Sequence, residues 1–432
     1  MKNRKALALI AILALVAAAC GGSDGGSDEA VVEVETTEAP ATTEAPTTTA
    51  APAPASDPLI LASLMPLSGD LASLGPGIAL GAALAVEQIN AAGGINGQPV
   101  QLIEGDSGCD GAVALTSLND VIAQGAQGVM GAACSGTSLA ILDTAIAAQV
   151  VMVSPSNTSP QFTKIDKKGF YARTAPSDLL QGDVLASLLV EDGVKTVSII
   201  SRADSYGRGL AEATAAAFEA AGGTVKTIVY HATDASEFTS EVTAVGKGGA
   251  DAIVGILFPE TGCGVLQPAF EQGLLDTPWY MTDGVKDAGL ASLCGLGTAL
   301  DGFKGTAPGS AAGEAKDAFE AAYAEVSADG SPTFIFAPQA YDAVMLMAIS
   351  AAANGVTGPE IASGLVAASS GGEKCIGVAC IALAADGVDV DYVGASGEIE
   401  LNAVGDPTAA TYDIWTTEGD TNPVLKSVDF GS

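Results

Sequence analysis

A chain of 432 residues with 51 acidic and only 17 basic side chains, a formal net charge of −34, is repelled by polyanions. That excludes nucleic acid and an anionic membrane surface as partners. The acidity reads as a solvated surface suited to a salty medium, and one histidine leaves little material for acid–base or metal chemistry.

The first element in chain order is not part of the fold. "MKNRKALALIAILALVAAAC" has a basic start, an apolar run too short to span a bilayer comfortably, and small residues before a cysteine, so residues 1–20 read as a secretory leader. Ala17, Ala18 and Ala19 before Cys20, with Gly21 and Gly22 behind it, resemble a bacterial lipobox, with Ala17 standing where such boxes usually carry leucine. On that resemblance Cys20 becomes lipid-modified and N-terminal; an ordinary cleavage site with a spare cysteine is the weaker alternative. Residues 21–57 are Gly, Ser and Asp, then Thr, Glu, Ala and Pro, with "TTEAP" occurring twice. Such a segment holds too little bulky apolar material to offset chain entropy. It reads as a spacer, able to reach on the order of 100 Å at full stretch. Anchor and stalk together imply an extracytoplasmic protein, lipid-anchored to the outer face of the cell membrane or periplasmic. No later apolar run is long and uninterrupted enough for a transmembrane helix.

From Pro58 onward short apolar runs alternate with alanine-rich stretches at helical spacing: "LILASLMPLSG", "ALGAALAVEQINAAGG", "QPVQLIEGDSG", "AVALTSLNDVIAQG", "GVMGAAC", "SLAILDTAIAAQ", "VVMVSPS". Strand and helix taking turns specifies a parallel sheet covered on both faces. The pattern restarts at "DLLQGDVLASLLVEDG" and runs through "KTVSIISRAD", "TVKTIVYHA", "DAIVGILFPE" and "TPWYMTDG", so two similar α/β units stand in series. Beyond Thr306 the character changes to two helical stretches, the small loop "CIGVAC" and the strands "SGEIELN" and "ATYDIWTTEG". These segments complete each lobe and form a hinge. The expected division is an N-terminal lobe of 58–176 plus about 307–388 and a C-terminal lobe of 177–306 plus about 389–432. The expected fold class is α/β, two Rossmann-like lobes with parallel sheets joined by a multi-stranded hinge.

Without Cys20, six cysteines remain in a chain that carries an export signal, and three disulfides are the natural reading. Fifteen pairings are possible. Sequence order suggests Cys109 with Cys134, Cys263 with Cys294, and Cys375 with Cys380. With only His231 to help and no pair of CxxC motifs, a zinc site is a poor alternative.

The stretch "ACSGTS", between an apolar run and a helix, invites two readings. As a nucleophile, Cys134 or Ser135 needs a base within hydrogen-bond reach, and only His231 exists, in the other unit at the end of a strand. No GxSxG elbow, GxxxxGK[ST] loop or GxGxxG after the first strand occurs, so an enzyme is not expected. As a strand-to-helix turn, the hydroxyl of Ser135 and the N–H groups of Gly136, Thr137 and Ser138 face one spot suited to a carboxylate. A plain helix N-cap fits the spacing equally well.

From Leu59 to the C-terminus the chain resembles the branched-chain amino-acid-binding proteins of ABC importers, which have the type I periplasmic-binding fold. The resemblance rests on "PLSGDLASLGPGIALGAALAVEQINAAGGINGQPV", the cysteines in "DSGCD" and "AACSGTS", "VVMVSPSNTSPQFT", "RADSYGRGL", and "YMTDG" after "FPE". It implies a hinged two-lobed trap that closes on a small, neutral aliphatic L-amino acid and docks on a membrane permease, as a monomer and without a cofactor. It assigns the ligand carboxylate to Ser135, a backbone contact to Ser156, and the ligand ammonium to the Thr158 hydroxyl and Asp283. Asp283 is one methylene shorter than the glutamate common there. Tyr206 and Phe258 line the cleft, and Leu74 stands where relatives often carry an aromatic residue over the ligand side chain. A ligand-sensing receptor module of the same fold, or an importer subunit for short amides or aromatic acids, is the alternative.

Overall fold

The computed structural model describes residues 57–235 and 237–430. The leader, Cys20 and the spacer as far as residue 56 lie outside the described residues. Strands and helices alternate through β1 (Ile60–Met65), α1 (Gly75–Ala91), β2 (Gln101–Asp106), α2 (Gly111–Ala123), β3 (Gly128–Gly131), α3 (Ser135–Ala147), β4 (Val151–Ser154), a short α4 (Gln161–Lys164) and β5 (Tyr171–Arg173). The five strands form one parallel sheet in the order β2-β1-β3-β4-β5, with Leu61 level with Leu102 on one side and Gly128 on the other. Period-two patterning decides which face each side chain joins. Leu59, Leu61 and Met65 enter one apolar cluster with α1, whereas Ala62 and Leu64 enter another with Leu118 of α2 and Ile141 of α3. Both faces are therefore buried, as a parallel sheet requires.

The second unit begins at α5 (Asp178–Glu191) and continues with β6 (Thr196–Arg202), α6 (Ser205–Ala220), β7 (Thr224–His231), α7 (Thr239–Gly246), β8 (Ala252–Ile256), α8 (Pro259–Glu271), β9 (Trp279–Met281), a short α9 (Leu290–Leu293) and β10 (Lys304–Pro308). Then come α10 (Glu314–Val326), α11 (Ala337–Asn354), α12 (Gly358–Ala368), β11 (Glu373–Ile376), α13 (Ala379–Ala385), β12 (Val390–Gly394), β13 (Gly397–Glu398), β14 (Ala410–Thr416) and β15 (Val424–Phe430). The second sheet runs β15-β14-β10-β9-β8-β6-β7, parallel except for the antiparallel edge made by β14 and β15.

One expected boundary moves. Residues 390–398 were assigned to the second lobe, but β12 and β13 pair with β11 in a separate three-stranded sheet. The Asp342 carboxylate of α11 ties them there, accepting from Tyr392 Oη at 2.7 Å, Ala395 N at 2.7 Å and Ser396 N at 2.8 Å. Because α11 packs on α1 and on β3 and β4, these residues complete the first lobe, and the chain recrosses only after Glu398. The crossings thus fall between β5 and α5, between β10 and α10, and between β13 and β14.

Disulfides join Cys109 to Cys134, Cys263 to Cys294, and Cys375 to Cys380. The first staples the loop after β2 to the turn before α3; by loop entropy a bridge of this span is worth about 3 kcal/mol. No described helix is long and apolar enough to cross a membrane.

Candidate functional site

The segments that follow β3 and β4 meet the one that follows β6, Ser159 Oγ donating to Ser205 O at 2.9 Å, so the two lobes come together beyond the carboxyl ends of their strands, the location where open α/β sheets place ligands. On the first lobe the turn before α3 is held from behind. Ser138 Oγ, Ser154 Oγ and Asn157 Nδ2 all donate to Ala132 O, at 3.1, 2.8 and 3.0 Å, and Ser156 Oγ donates to Ala133 O at 3.2 Å. Arg173, fully buried, donates from Nη1 to Asn157 O and Ser159 O at 3.0 Å each, and from Nε to Asp406 Oδ1 at 2.9 Å. Burial opposes the Asp406 charge, but the adjacent Arg173 holds that carboxyl below its usual range. The loop 155–160 is thereby fixed to the third crossing.

Ser135 is the first helical residue of α3 rather than its cap. The capping position is Cys134, whose sulfur is in a disulfide and makes no capping bond. The leading N–H groups of α3 are left without a side-chain cap, and Ser135 Oγ accepts only a long 3.5 Å contact from Ser159 N. Of the two readings of this serine, the helix cap is the one the geometry removes. Gly136 faces the opposite lobe: a β-carbon built on it would sit 3.6 Å from Ser205 Oγ.

On the second lobe Asp283 follows β9 and is 3 % exposed. Its Oδ1 accepts from Gln181 Nε2 at 2.8 Å and from Tyr206 Oη at 3.0 Å, and Gln181 is itself held by Thr306 O at 3.1 Å. Tyr206, at the start of α6, stacks on Phe258, the residue capping α8, with ring centroids 5.2 Å apart. Leu74, directly before α1, lies in the same continuous apolar cluster as Tyr206 and Phe258.

A second carboxylate stands beside Asp283. Asp178, in the first turn of α5, is completely buried, and neither of its oxygens has a hydrogen-bond partner. The Thr158 hydroxyl lies next to it outside hydrogen-bond geometry and is also without a partner, while the Asp178 N–H reaches Thr158 O at 2.8 Å. Burial and the neighbouring Asp283 push the Asp178 carboxyl well above the usual carboxylate range. Burial likewise pushes Asp283 up, to about 6, against the hydrogen bonds from Gln181 and Tyr206. Two buried carboxylates with an orphaned hydroxyl beside them, and no cationic side chain bonded to either among the described residues, make a strongly cation-attracting spot.

The residues expected from the sequence thus form a connected set, from Ser135 through Ser156 and Thr158 to Asp283, Tyr206 and Phe258, all 8 % exposed or less. Asp178 and Gln181 were missed. The signal was a carboxylate and an amide three residues apart, on one face of the helix that opens directly after the first crossing. His231 lies away from this set, its Nδ1 2.8 Å from Ala232 O and its ring against Phe238; burial lowers its pKa.

A profile of the periplasmic binding protein family matches residues 58–374. The amino acid binding protein of Pseudomonas aeruginosa is 34 % identical over 53 % of this chain, a match that spans 62 % of that relative's length. The leucine-, isoleucine-, valine-, threonine-, and alanine-binding protein of the same species is 30 % identical over 68 % of this chain and 78 % of its own. The branched-chain amino acid transporter substrate-binding protein LivJ of Streptococcus pneumoniae, solved with isoleucine, superimposes with a TM-score of 0.72 at 23 % identity, covering 87 % of this chain and all of that one. A profile spanning both α/β units, a relative matched over most of its length and a shared two-lobed architecture agree: the chain belongs to the periplasmic binding protein family.

Proposed function

We propose that this protein is the extracytoplasmic solute-binding component of an ABC importer, held at the membrane through a lipid on Cys20, and that it delivers a neutral aliphatic L-amino acid to a permease. It binds and releases this solute without chemistry: the sulfur of Cys134 is bonded to Cys109, and the His231 ring meets Ala232 O and Phe238 while Ser135 Oγ meets Ser159 N. The observation that carries the reading is the separation of charge preference within one cleft. The uncapped start of α3 with Ser135 suits a carboxylate, and the Thr158, Asp178 and Asp283 cluster suits an ammonium. An α-amino acid has both groups on adjacent atoms of one small skeleton. Leu74, Phe258 and Tyr206 supply apolar wall for an aliphatic side chain, consistent with a relative named for binding leucine, isoleucine and valine. Both lobes contribute, so the solute stabilises the closed arrangement in which both sets of contacts exist.

Calorimetry against L-leucine, L-alanine, 4-methylpentanoate, acetamide and benzoate tests this. L-Leucine is expected to bind, and 4-methylpentanoate, which lacks only the ammonium, to bind about 100-fold more weakly or worse, the loss of a buried charge-assisted contact. Equal affinity for the two would refute the ammonium role of the carboxylate pair. Ser135→Ala is expected to weaken leucine binding by about tenfold, one lost hydrogen bond to a charged group. Its melting temperature should stay that of the parent because the hydroxyl does not cap α3; unchanged affinity would leave Ser135 without a binding role.

A further inference from the structure

Outside the ligand cluster, one buried ion pair joins the lobes directly. Asp70 lies in the loop between β1 and α1, four residues before Leu74, and Arg202 is the last residue of β6. Arg202 Nη1 donates to Asp70 Oδ2 and, at 3.0 Å, to Thr261 Oγ1 of α8. The same carboxylate accepts from Thr261 N at 2.8 Å and from Thr261 Oγ1 at 3.0 Å. One turn further on, Ser73 N donates to Glu260 Oε1 at 2.8 Å. The loop is shaped to present Asp70: Asp106 accepts from the N–H groups of Leu67 and Gly108, and at Gly69, with φ of +79°, a β-carbon would lie 2.2 Å from Gly108 O.

Arg202 also leads into the ligand wall. Within its own lobe its Nε binds Asp204 Oδ2 at 2.8 Å, and Asp204 caps α6, the helix that carries Tyr206. Its guanidinium carbon lies 3.9 Å from the centre of the Phe258 ring, which in turn stacks on Tyr206, the donor to Asp283. An unbroken set of contacts therefore runs from Asp70 through Arg202, Phe258 and Tyr206 to the Asp283 carboxylate.

We propose that Asp70 and Arg202 form a clasp that holds the lobes closed, and that Arg202 is a positioning residue that sets the two aromatic rings and Asp283 when Asp70 arrives. The reading rests on the cleft being the solute site. The clasp borders an open cavity of about 550 Å³ lined by Asp70, Thr261, Glu260 and Asp234. Both partners are solvated when the lobes separate. With the lobes together the Arg202 side chain is 3 % exposed, so removing Asp70 leaves a buried cation with only Asp204 to answer it. That penalty falls on the closed state alone, which places the effect in the dissociation rate. Since no part of the clasp needs the solute, ligand-free protein samples the closed form to a measurable extent.

Stopped-flow binding of L-leucine to the full chain separates this from a merely structural role. Asp70→Asn is expected to raise the dissociation rate about 10- to 30-fold and leave the association rate within about threefold. Arg202→Lys, which keeps the charge but loses the fork and the ring contact, should do the same, and the double variant no more than the worse single one. Additive losses, or an Asp70→Asn variant that releases leucine at the parent rate, would overturn the proposal. A second arm needs no leucine: nitroxide labels at Asn119→Cys and Ala220→Cys report interlobe distance in ligand-free protein. A short-distance population that Asp70→Asn lowers about tenfold supports the clasp even if leucine proves to be the wrong solute; identical distributions overturn it.

Discussion

Asp283→Asn should lower the affinity for L-leucine by about 100-fold or more, since one member of a desolvated, hydrogen-bonded charge pair is lost. The same substitution should raise the melting temperature of the ligand-free protein. In the free cleft the carboxylate is a liability, because burial pushes it up to about 6 while Asp178 stands beside it. A neutral amide keeps the size and can still meet Gln181 and Tyr206. Such inverse movement of affinity and stability is the signature of a binding group rather than a structural one. Asp178→Asn should behave alike, and the two together should cost less than the sum of the singles, because both act on one cation. Calorimetry and thermal melts on the three variants check this. A variant that binds leucine normally, or one that melts lower and binds normally, would show that the carboxylate only supports the fold.

Leucine affinity should be full near pH 8 and fall as the pH drops through about 6, the value at which Asp283 takes up a proton in the free cleft. The ammonium stabilises the charged carboxylate, so the bound site holds its proton less tightly and binding releases it. Below the free-site value each released proton costs about a tenfold loss of affinity per pH unit. Stability of the ligand-free fold follows the opposite sign. A carboxyl whose folded pKa lies above its ordinary 3.8 contributes stability that is present below that value and lost as the pH rises towards about 6. Asp406, held low by Arg173, works the other way, losing its contribution as the pH falls. The difference between wild type and Asp283→Asn reports on the carboxyl pair, because removing the Asp283 charge also relieves Asp178. Titrations in two buffers of different ionisation enthalpy report the released proton directly, and an affinity flat from pH 8 to pH 4.5 would refute the linkage.

Much of the arrangement could be read from the sequence because it is written locally. Strand and helix alternation gives the two sheets, and "ACSGTS", "SPSNTS" and "MTDG" each put a polar group just beyond the end of a strand. What stayed hidden depended on residues far apart in the chain or on residues with an ordinary local explanation. Asp178 sits in the first turn of a helix, where an acidic residue is expected for the dipole alone, so its lack of partners is visible only in three dimensions. Asp70 and Arg202 are 132 positions apart, one in the loop after β1 of the first lobe and the other at the end of β6 of the second. The boundary near 389 went astray because β12 and β13 are short, and only their bonds to Asp342 show which lobe they complete. Leu74, read from the sequence at a position where relatives often carry an aromatic residue, is packed as tightly as any core residue.

The three crossings bear on the order in which the chain can fold. The first sheet is complete by Arg173, yet one of its faces is covered by α11, in which every residue from Ala337 to Ala351 is buried. Arg173, behind the ligand loop, finds its carboxylate only at Asp406. A chain emerging from its N-terminus therefore cannot close the first lobe until almost all of it is present, and contacts of such long sequence separation form slowly. Neither lobe can be released by a single cut. A chain that stays open until its last segment arrives remains extended and threadable for as long as that segment is missing.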